Sequence, residues 1–186
     1  GCLSNAEHAG EGWSDYYSLM LTQDWLHSDL QSGFEIPRSI GTYVIGQSPS
    51  GAGIRSQKYC TDFSINNLVY GASIDAESHN RGELWCATLW DMTWNIINQV
   101  GTINPDIRNP TTDGNSIALR LVVEGMRLQP CNPGFIDGRD AIIQADQLLY
   151  NGVHECAIRE AFRRRGMGAF ASQGSAGSVS DQTPDY

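Results

Sequence analysis

The chain has 186 residues, of which 40% are hydrophobic and 18% charged, and its net charge at neutral pH is −9. This length fits one domain with a substantial core, and no stretch approaches the roughly 20 apolar residues of a membrane span. The acidic balance disfavours nucleic acid as a partner, and we interpret the single basic run, Arg163–Arg165, as the solvated end of a helix.

The first predicted element is a helix over residues 5–22, with Asn5 as a candidate cap. Glu11 and Asp15 lie four residues apart in it and therefore share a helix face. They are either two solvated carboxylates that the helix dipole favours, or a metal ligand, Glu11, beside a carboxylate that orients a metal-bound histidine. The glycines on both sides of Glu11 favour the second interpretation, because small residues let another element approach closely.

The following region is predicted to be irregular, because residues 31–57 are rich in Gly, Ser and Pro. Thr42–Ile45 is strand-like, and Ser64–Tyr70 is a candidate short helix. Arg55 lies in a glycine loop of this region. Its guanidinium is suited to clamp a peptide carbonyl or a carboxylate, and the alternative is an ordinary surface arginine.

Four more helices are predicted from apolar residues at three- and four-residue spacing, over 79–99, 115–128, 137–150 and 153–165. His79 begins the most apolar of them, behind Asp75 and Glu77. A neighbouring carboxylate can stabilise its imidazolium, whereas a simple helix cap is the alternative. Consecutive helices with almost no strand predict a mainly α fold, a helical bundle with a long irregular loop region.

The five cysteines are Cys2, Cys60, Cys86, Cys131 and Cys156. None forms a C-x-x-C pair, which disfavours a zinc ribbon. An odd count still permits disulfides, and we predict a bond between Cys131 and Cys156 because both flank the same predicted helix.

Five stretches of the chain resemble the C-terminal half of the catalytic domain of fungalysin-like metallopeptidases, which are secreted zinc endopeptidases related to thermolysin. They are "NAEHAGEGWSDYYSLMLT", "GIRSQKYCTDFSINNLVYG", "SHNRGELWCATLW", "GNSIALRLVVEGMRLQPCNPGFIDGRDAIIQAD" and "CAIREAFRRRGMGAFASQGS". The resemblance implies a helical C-terminal subdomain over residues 1–170, followed by a Gly/Ser-rich tail or linker at 171–186.

The resemblance also implies roles for individual residues. Glu11 matches the third zinc ligand, and Asp15 matches the carboxylate that braces a zinc-bound histidine. His79 matches the histidine that stabilises the oxyanion of the tetrahedral intermediate, and Arg55 matches the arginine that holds the substrate carbonyl. The expected partner of His79 is one of two acidic residues, Asp75 or Glu77.

One family motif is absent from these 186 residues, the H-E-x-x-H helix that supplies two zinc ligands and the general base. We expect that motif a little before residue 1, on an N-terminal half that would be the partner of this chain. The substrate implied is a peptide or protein, the cofactor is zinc, and the location is extracellular. The alternative is a non-catalytic helical interaction module that keeps the fold and not the chemistry.

Overall fold

The computed structural model describes residues 1–72, 74 and 77–186. Within these ranges the chain forms five α-helices, three short 3-10 turns and isolated β-bridges, with no β-strand. The helices are α1 Gly10–Thr22, α2 Ser78–Val100, α3 Gly114–Leu128, α4 Phe135–Tyr150 and α5 Glu155–Arg164. The predicted mainly α fold is confirmed. No helix in the described part combines the length and the apolar character that a membrane crossing requires.

Helix α2 is the central element of the bundle. It packs against α1, α3 and α5, and α4 packs against α3 and α5. Trp85 of α2 is fully buried, with its ring centroid 5.0 Å from Trp13 of α1, 5.0 Å from Phe135 of α4 and 5.7 Å from Phe162 of α5. A helix that is apolar on nearly all sides has to lie inside a bundle, which explains this position.

Helix α1 begins at Gly10, five residues later than predicted. Asn5 does not cap it, because the Asn5 side-chain amide donates instead to the Pro133 carbonyl at 2.8 Å and to the Ala176 carbonyl at 3.2 Å. The segment before α1 is therefore held by distant parts of the chain, which a local helix pattern does not reveal.

Two predictions of short elements between α1 and α2 are wrong. The strand-like run at Thr42–Ile45 contains a 3-10 turn, Tyr43–Ile45, and the Val44 side chain is exposed rather than paired in a sheet. Residues 64–70 are not helical, because long-range bonds take the polar backbone groups that a helix needs. The Arg165 guanidinium donates to the Asn66 and Leu68 carbonyls at 3.0 Å each, and the Tyr70 N–H donates to the Arg165 carbonyl at 2.8 Å.

The interpretation of the basic run as a solvated helix end is wrong for its last member. Arg165 is fully buried, and its Nε donates to Asp91 Oδ2 at 2.8 Å. Burial raises the pKa of Asp91, and the Arg165 charge opposes that rise. A buried guanidinium needs an acceptor for each donor, and Asp91 and the loop carbonyls provide them. Arg165 therefore fastens residues 60–68 to α2.

The predicted bond between Cys131 and Cys156 is also wrong. The structure joins Cys2 to Cys131, and Cys156 is an exposed free thiol. Cys131 precedes α4, whereas Cys156 follows its far end. Since 16 helical residues rise roughly 24 Å, the two cysteines cannot reach the separation of about 7 Å or less that a disulfide requires.

Replacing Cys2 by Ser should destabilise this chain by about 2–5 kcal/mol, because the disulfide closes a long loop and so removes conformational entropy from the unfolded chain. The two cysteines are 129 residues apart, so the upper end of that range is expected. Urea unfolding measures the free energy of unfolding. Cys156→Ser is the matched control and should leave it unchanged, and equal stabilities of the two variants would contradict the assigned disulfide.

The last residues of the chain fold back onto its first ones. The Ala176 carbonyl accepts from the Glu7 N–H at 2.9 Å and from the Asn5 side-chain amide at 3.2 Å. The Glu7 carboxyl is fully buried at this junction, where it accepts from the Tyr70 hydroxyl at 2.5 Å. Burial raises the pKa of Glu7 to about 7, although the hydrogen bond from Tyr70 acts in the opposite direction.

This raised pKa predicts a pH-dependent stability. In the folded state Glu7 keeps its proton up to about pH 7, whereas in the unfolded chain it loses the proton near its ordinary value of 4.5. Stability from this group is therefore complete below the lower pKa, falls as the pH rises between the two values, and stays level above the higher one. Between about pH 5 and about pH 8 the loss should be about 2–3 kcal/mol.

Urea unfolding of the native chain and of Glu7→Gln at both pH values isolates this contribution, since the other titrating groups cancel in the difference. Glu160→Gln, at an exposed glutamate in α5, serves as the control. A stability difference between native chain and Glu7→Gln that does not change with pH would show that Glu7 titrates normally.

Candidate functional site

The candidate site lies where α1 crosses the first turns of α2. The crossing depends on two glycines. A Cβ atom on Gly12 would lie 2.6 Å from the Gly82 carbonyl oxygen, and a Cβ atom on Gly82 would lie 2.6 Å from the Gly12 nitrogen. No other residue allows the two backbones so close. The crossing places Glu11 of α1 beside the first turns of α2.

The Glu11 carboxylate lies between two nitrogen-bearing side chains from other segments. Its Oε2 is 3.5 Å from Arg55 Nη2 and 3.6 Å from His79 Nε2. The Glu11 side chain is 39% exposed, so solvent and a ligand can reach it from one side. The structure thus brings together Glu11, Arg55 and His79, which are far apart in the sequence.

Asp15 is buried and bonded on both oxygens, so it is not a solvated carboxylate. Arg55 Nε donates to its Oδ2 at 2.7 Å and Arg55 Nη2 donates to its Oδ1 at 2.8 Å, and the Tyr59 hydroxyl donates to Oδ2 as well. This bidentate pairing raises the pKa of Arg55 above its usual range, although burial acts against the rise. The guanidinium is fixed in one orientation as a result.

Arg55 keeps free donors after this pairing. Its side chain is only 7% exposed, and its Nε and Nη2 atoms are engaged by Asp15 and Glu11. Within the described part of the chain, Nη1 has no hydrogen-bond acceptor. Two N–H groups of a rigid, charged fork therefore remain for a ligand.

His79 stands at the start of α2 with its ring half exposed. Its Nδ1 is 2.6 Å from Glu77 Oε1. The hydrogen bond with His79 lowers the pKa of Glu77 to about 2. The other ring nitrogen, Nε2, faces Glu11, whose Oε2 lies 3.6 Å away. The other expected partner of His79, Asp75, lies outside the described residues.

Two polar residues of this region were not singled out from the sequence. Tyr59 is buried, and burial raises the pKa of its hydroxyl well above the ordinary value. Glu83 is 3% exposed and accepts hydrogen bonds from the backbone and side chain of Ser56. A signal for Glu83 was present, because it is a charged residue inside the most apolar helix of the chain.

These residues do not by themselves form a metal site. In the ranges that the structure describes, no three His, Cys, Asp or Glu side chains are grouped so that they could hold a metal ion. Glu11 offers one carboxylate, whereas a catalytic zinc takes three protein ligands. A cavity of about 570 Å³, lined in part by Phe34, Trp94 and Arg164, lies elsewhere and includes none of the candidate residues.

Comparisons with known proteins agree on one family. Residues 1–171 match the model of a protein family described as Fungalysin metallopeptidase (M36). The chain is 38% identical over 182 residues to "Extracellular metalloproteinase 4" of Arthroderma otae, which covers 92% of this chain and 26% of the relative. It is 38% identical over 178 residues to "Extracellular metalloproteinase 2" of Trichophyton tonsurans, which covers 90% of this chain and 26% of the relative. The chain thus spans about a quarter of the length of these relatives.

Proposed function

Because this chain belongs to the fungalysin metallopeptidase family, we propose that it is the C-terminal subdomain of a secreted zinc metalloendopeptidase. It supplies the third zinc ligand and the oxyanion-stabilising histidine of a site that hydrolyses peptide bonds. The N-terminal half of the catalytic domain, with the H-E-x-x-H helix, supplies the rest of the site. The chain alone is therefore inactive. Relatives named as extracellular metalloproteinases support the location and the peptide or protein substrate.

The observation that supports this function is the position of the Glu11 carboxylate. Its Oε2 lies 3.6 Å from His79 Nε2 and 3.5 Å from Arg55 Nη2, at the surface of an otherwise well-packed helix crossing. A carboxylate flanked by an imidazole and a guanidinium can hold a cation while its neighbours face the oxygens of a bound peptide.

In the complete enzyme, Glu11 would hold the zinc ion together with two histidines of the other half. When bound, zinc polarises the scissile carbonyl and activates a water molecule. Asp15 would brace one of those histidines by accepting the N–H of its far ring nitrogen. The bonds from Arg55 and Tyr59 hold the Asp15 carboxylate still, so the histidine would be oriented by a rigid acceptor.

His79 and Arg55 would act on the substrate. In the protonated ring of His79, Nδ1–H is bonded to Glu77, and Nε2–H remains to donate to the oxyanion. Arg55 is locked against Asp15, and its Nη1 would donate to a peptide carbonyl. Both donors are fixed before the substrate arrives, so little reorganisation is needed as charge develops.

We propose the same division of the chain as the sequence predicts, a helical subdomain over residues 1–170 and a Gly/Ser-rich tail over 171–186. The end of the family match at residue 171 supports this boundary. The tail packs against the subdomain, where the Ala176 carbonyl accepts from the Glu7 N–H at 2.9 Å.

The proposal is tested by comparing this chain with a longer protein that also contains the upstream half. The 186-residue chain should fold and neither retain zinc nor cleave peptides, because it has one ligand and no general base. The longer protein should do both. Metal content by mass spectrometry and cleavage of a denatured protein substrate are the measurements. A longer protein that folds without zinc or cleavage would favour the non-catalytic interaction module.

A further inference from the structure

Arg55 is presented by a loop whose sequence does not favour one conformation. Residues 46–53 contain three glycines, and Gly46 and Gly53 have positive φ angles of 69° and 81°. Such residues lose much conformational freedom when the loop is ordered. An arginine that has to be aimed at a substrate therefore needs the backbone on which it stands to be fixed by other contacts.

Two consecutive residues fasten this loop to two different helices. Arg55 is bonded to Asp15 of α1, and Ser56 is bonded to Glu83 of α2. The Ser56 N–H donates to Glu83 Oε1 at 2.7 Å, and the Ser56 Oγ–H donates to Glu83 Oε2 at 2.5 Å. Both carboxylate oxygens are thus used to hold one residue, the direct neighbour of Arg55.

The cost of burying Glu83 argues that this contact is specific. The residue is 3% exposed and precedes the buried Leu84 and Trp85 in α2, and a buried carboxylate is tolerated only when hydrogen bonds and charges compensate it. Glu83 also lies one helical turn after His79, on the same face of α2. The helix that carries the oxyanion histidine is therefore the one that fixes the arginine loop.

We propose that Glu83 is a positioning residue that binds Ser56 and thereby fixes the backbone that presents Arg55 to the substrate. This inference rests on the proposed peptidase function. Glu83 touches neither metal nor substrate and acts only through Arg55.

A double-mutant cycle in the longer, zinc-loaded enzyme tests this role. Glu83→Ala should lower kcat/KM roughly 100-fold, the scale of a misplaced catalytic group, while zinc content stays at the native level. In an Arg55→Ala background the same substitution should change kcat/KM very little, since the group it positions is gone. A residue that only stabilises the fold lowers kcat/KM by the same factor in both backgrounds, and that result overturns the inference, as does unchanged kcat/KM in Glu83→Ala.

Ser56 provides a second route if Glu83→Ala does not fold. Ser56→Ala removes the hydroxyl bond and should also lower kcat/KM in a way that depends on Arg55, and Ser56→Thr, which keeps the hydroxyl, should restore it. Ser50→Ala, in the exposed part of the same loop, is the matched control and should be neutral. A Ser56→Ala effect that persists without Arg55 again overturns the inference.

The failure of the proposed function looks different, because the longer protein would then lack zinc and activity before any substitution is made.

Discussion

Glu11→Ala in the complete enzyme is expected to abolish both zinc retention and peptide cleavage. In the proposed function the substitution would remove one of three protein ligands, and loss of a ligand should cost more than the roughly 10- to 100-fold in affinity that loss of an outer partner costs. Asp15→Asn would alter such an outer partner, the carboxylate proposed to brace a zinc-bound histidine. It should weaken zinc binding by roughly 10- to 100-fold without abolishing it.

Metal content after dialysis, measured beside the turnover of each purified variant, is the decisive comparison. Glu160→Ala is the control, since Glu160 is an exposed glutamate of α5 that pairs with Arg163 on the surface. It should keep full zinc and full activity. If Glu11→Ala also kept both, Glu11 would not be a ligand, and the interaction module would become the better interpretation of the chain.

His79→Ala is expected to separate zinc binding from catalysis. In the proposed function the His79 ring would donate to the oxyanion and would not hold the metal, so zinc content should stay at the native level. Loss of one oxyanion donor should lower kcat by roughly 100- to 1,000-fold. KM should change much less, because the lost interaction is made mainly in the transition state.

The matched control is His27→Ala. His27 is an exposed histidine that pairs with an aspartate, Asp24, as His79 pairs with Glu77, and it lies in a surface 3-10 turn. Steady-state kinetics and metal analysis of the two variants should show full activity for His27→Ala and a large kcat loss for His79→Ala. A loss of zinc in His79→Ala would instead make His79 a structural support of the metal site.

The candidate site was predictable from the sequence only in part. Glu11, Arg55 and His79 were identified by their resemblance to family motifs, and the structure places Arg55 Nη2 and His79 Nε2 within 3.6 Å of Glu11 Oε2. The long-range contacts that hold Arg55 were not predictable. Neither the pairing of Arg55 with Asp15 nor the bonds of Tyr59 and Glu83 follows from a local pattern, because each joins residues at least 27 positions apart.

The same division holds for the fold. The sequence by itself determined the long helices, since the apolar spacing that predicts α2, α3, α4 and α5 is a local property of each segment. The prediction of a short helix over residues 64–70 was wrong, because the few hydrogen bonds of a short helix compete with stronger bonds to distant residues.

Only the tertiary structure decided the disulfide, the burial of Arg165 and the support of Arg55. Cys131 pairs with Cys2 because the start of the chain runs beside it, where the Leu3 N–H donates to the Cys131 carbonyl at 3.0 Å. Arg165 is buried because Asp91 and loop carbonyls from elsewhere accept its donors. In each case a polar or reactive group finds its partner through the packing of the helices, and that packing depends on the whole chain, whereas helix periodicity depends only on near neighbours.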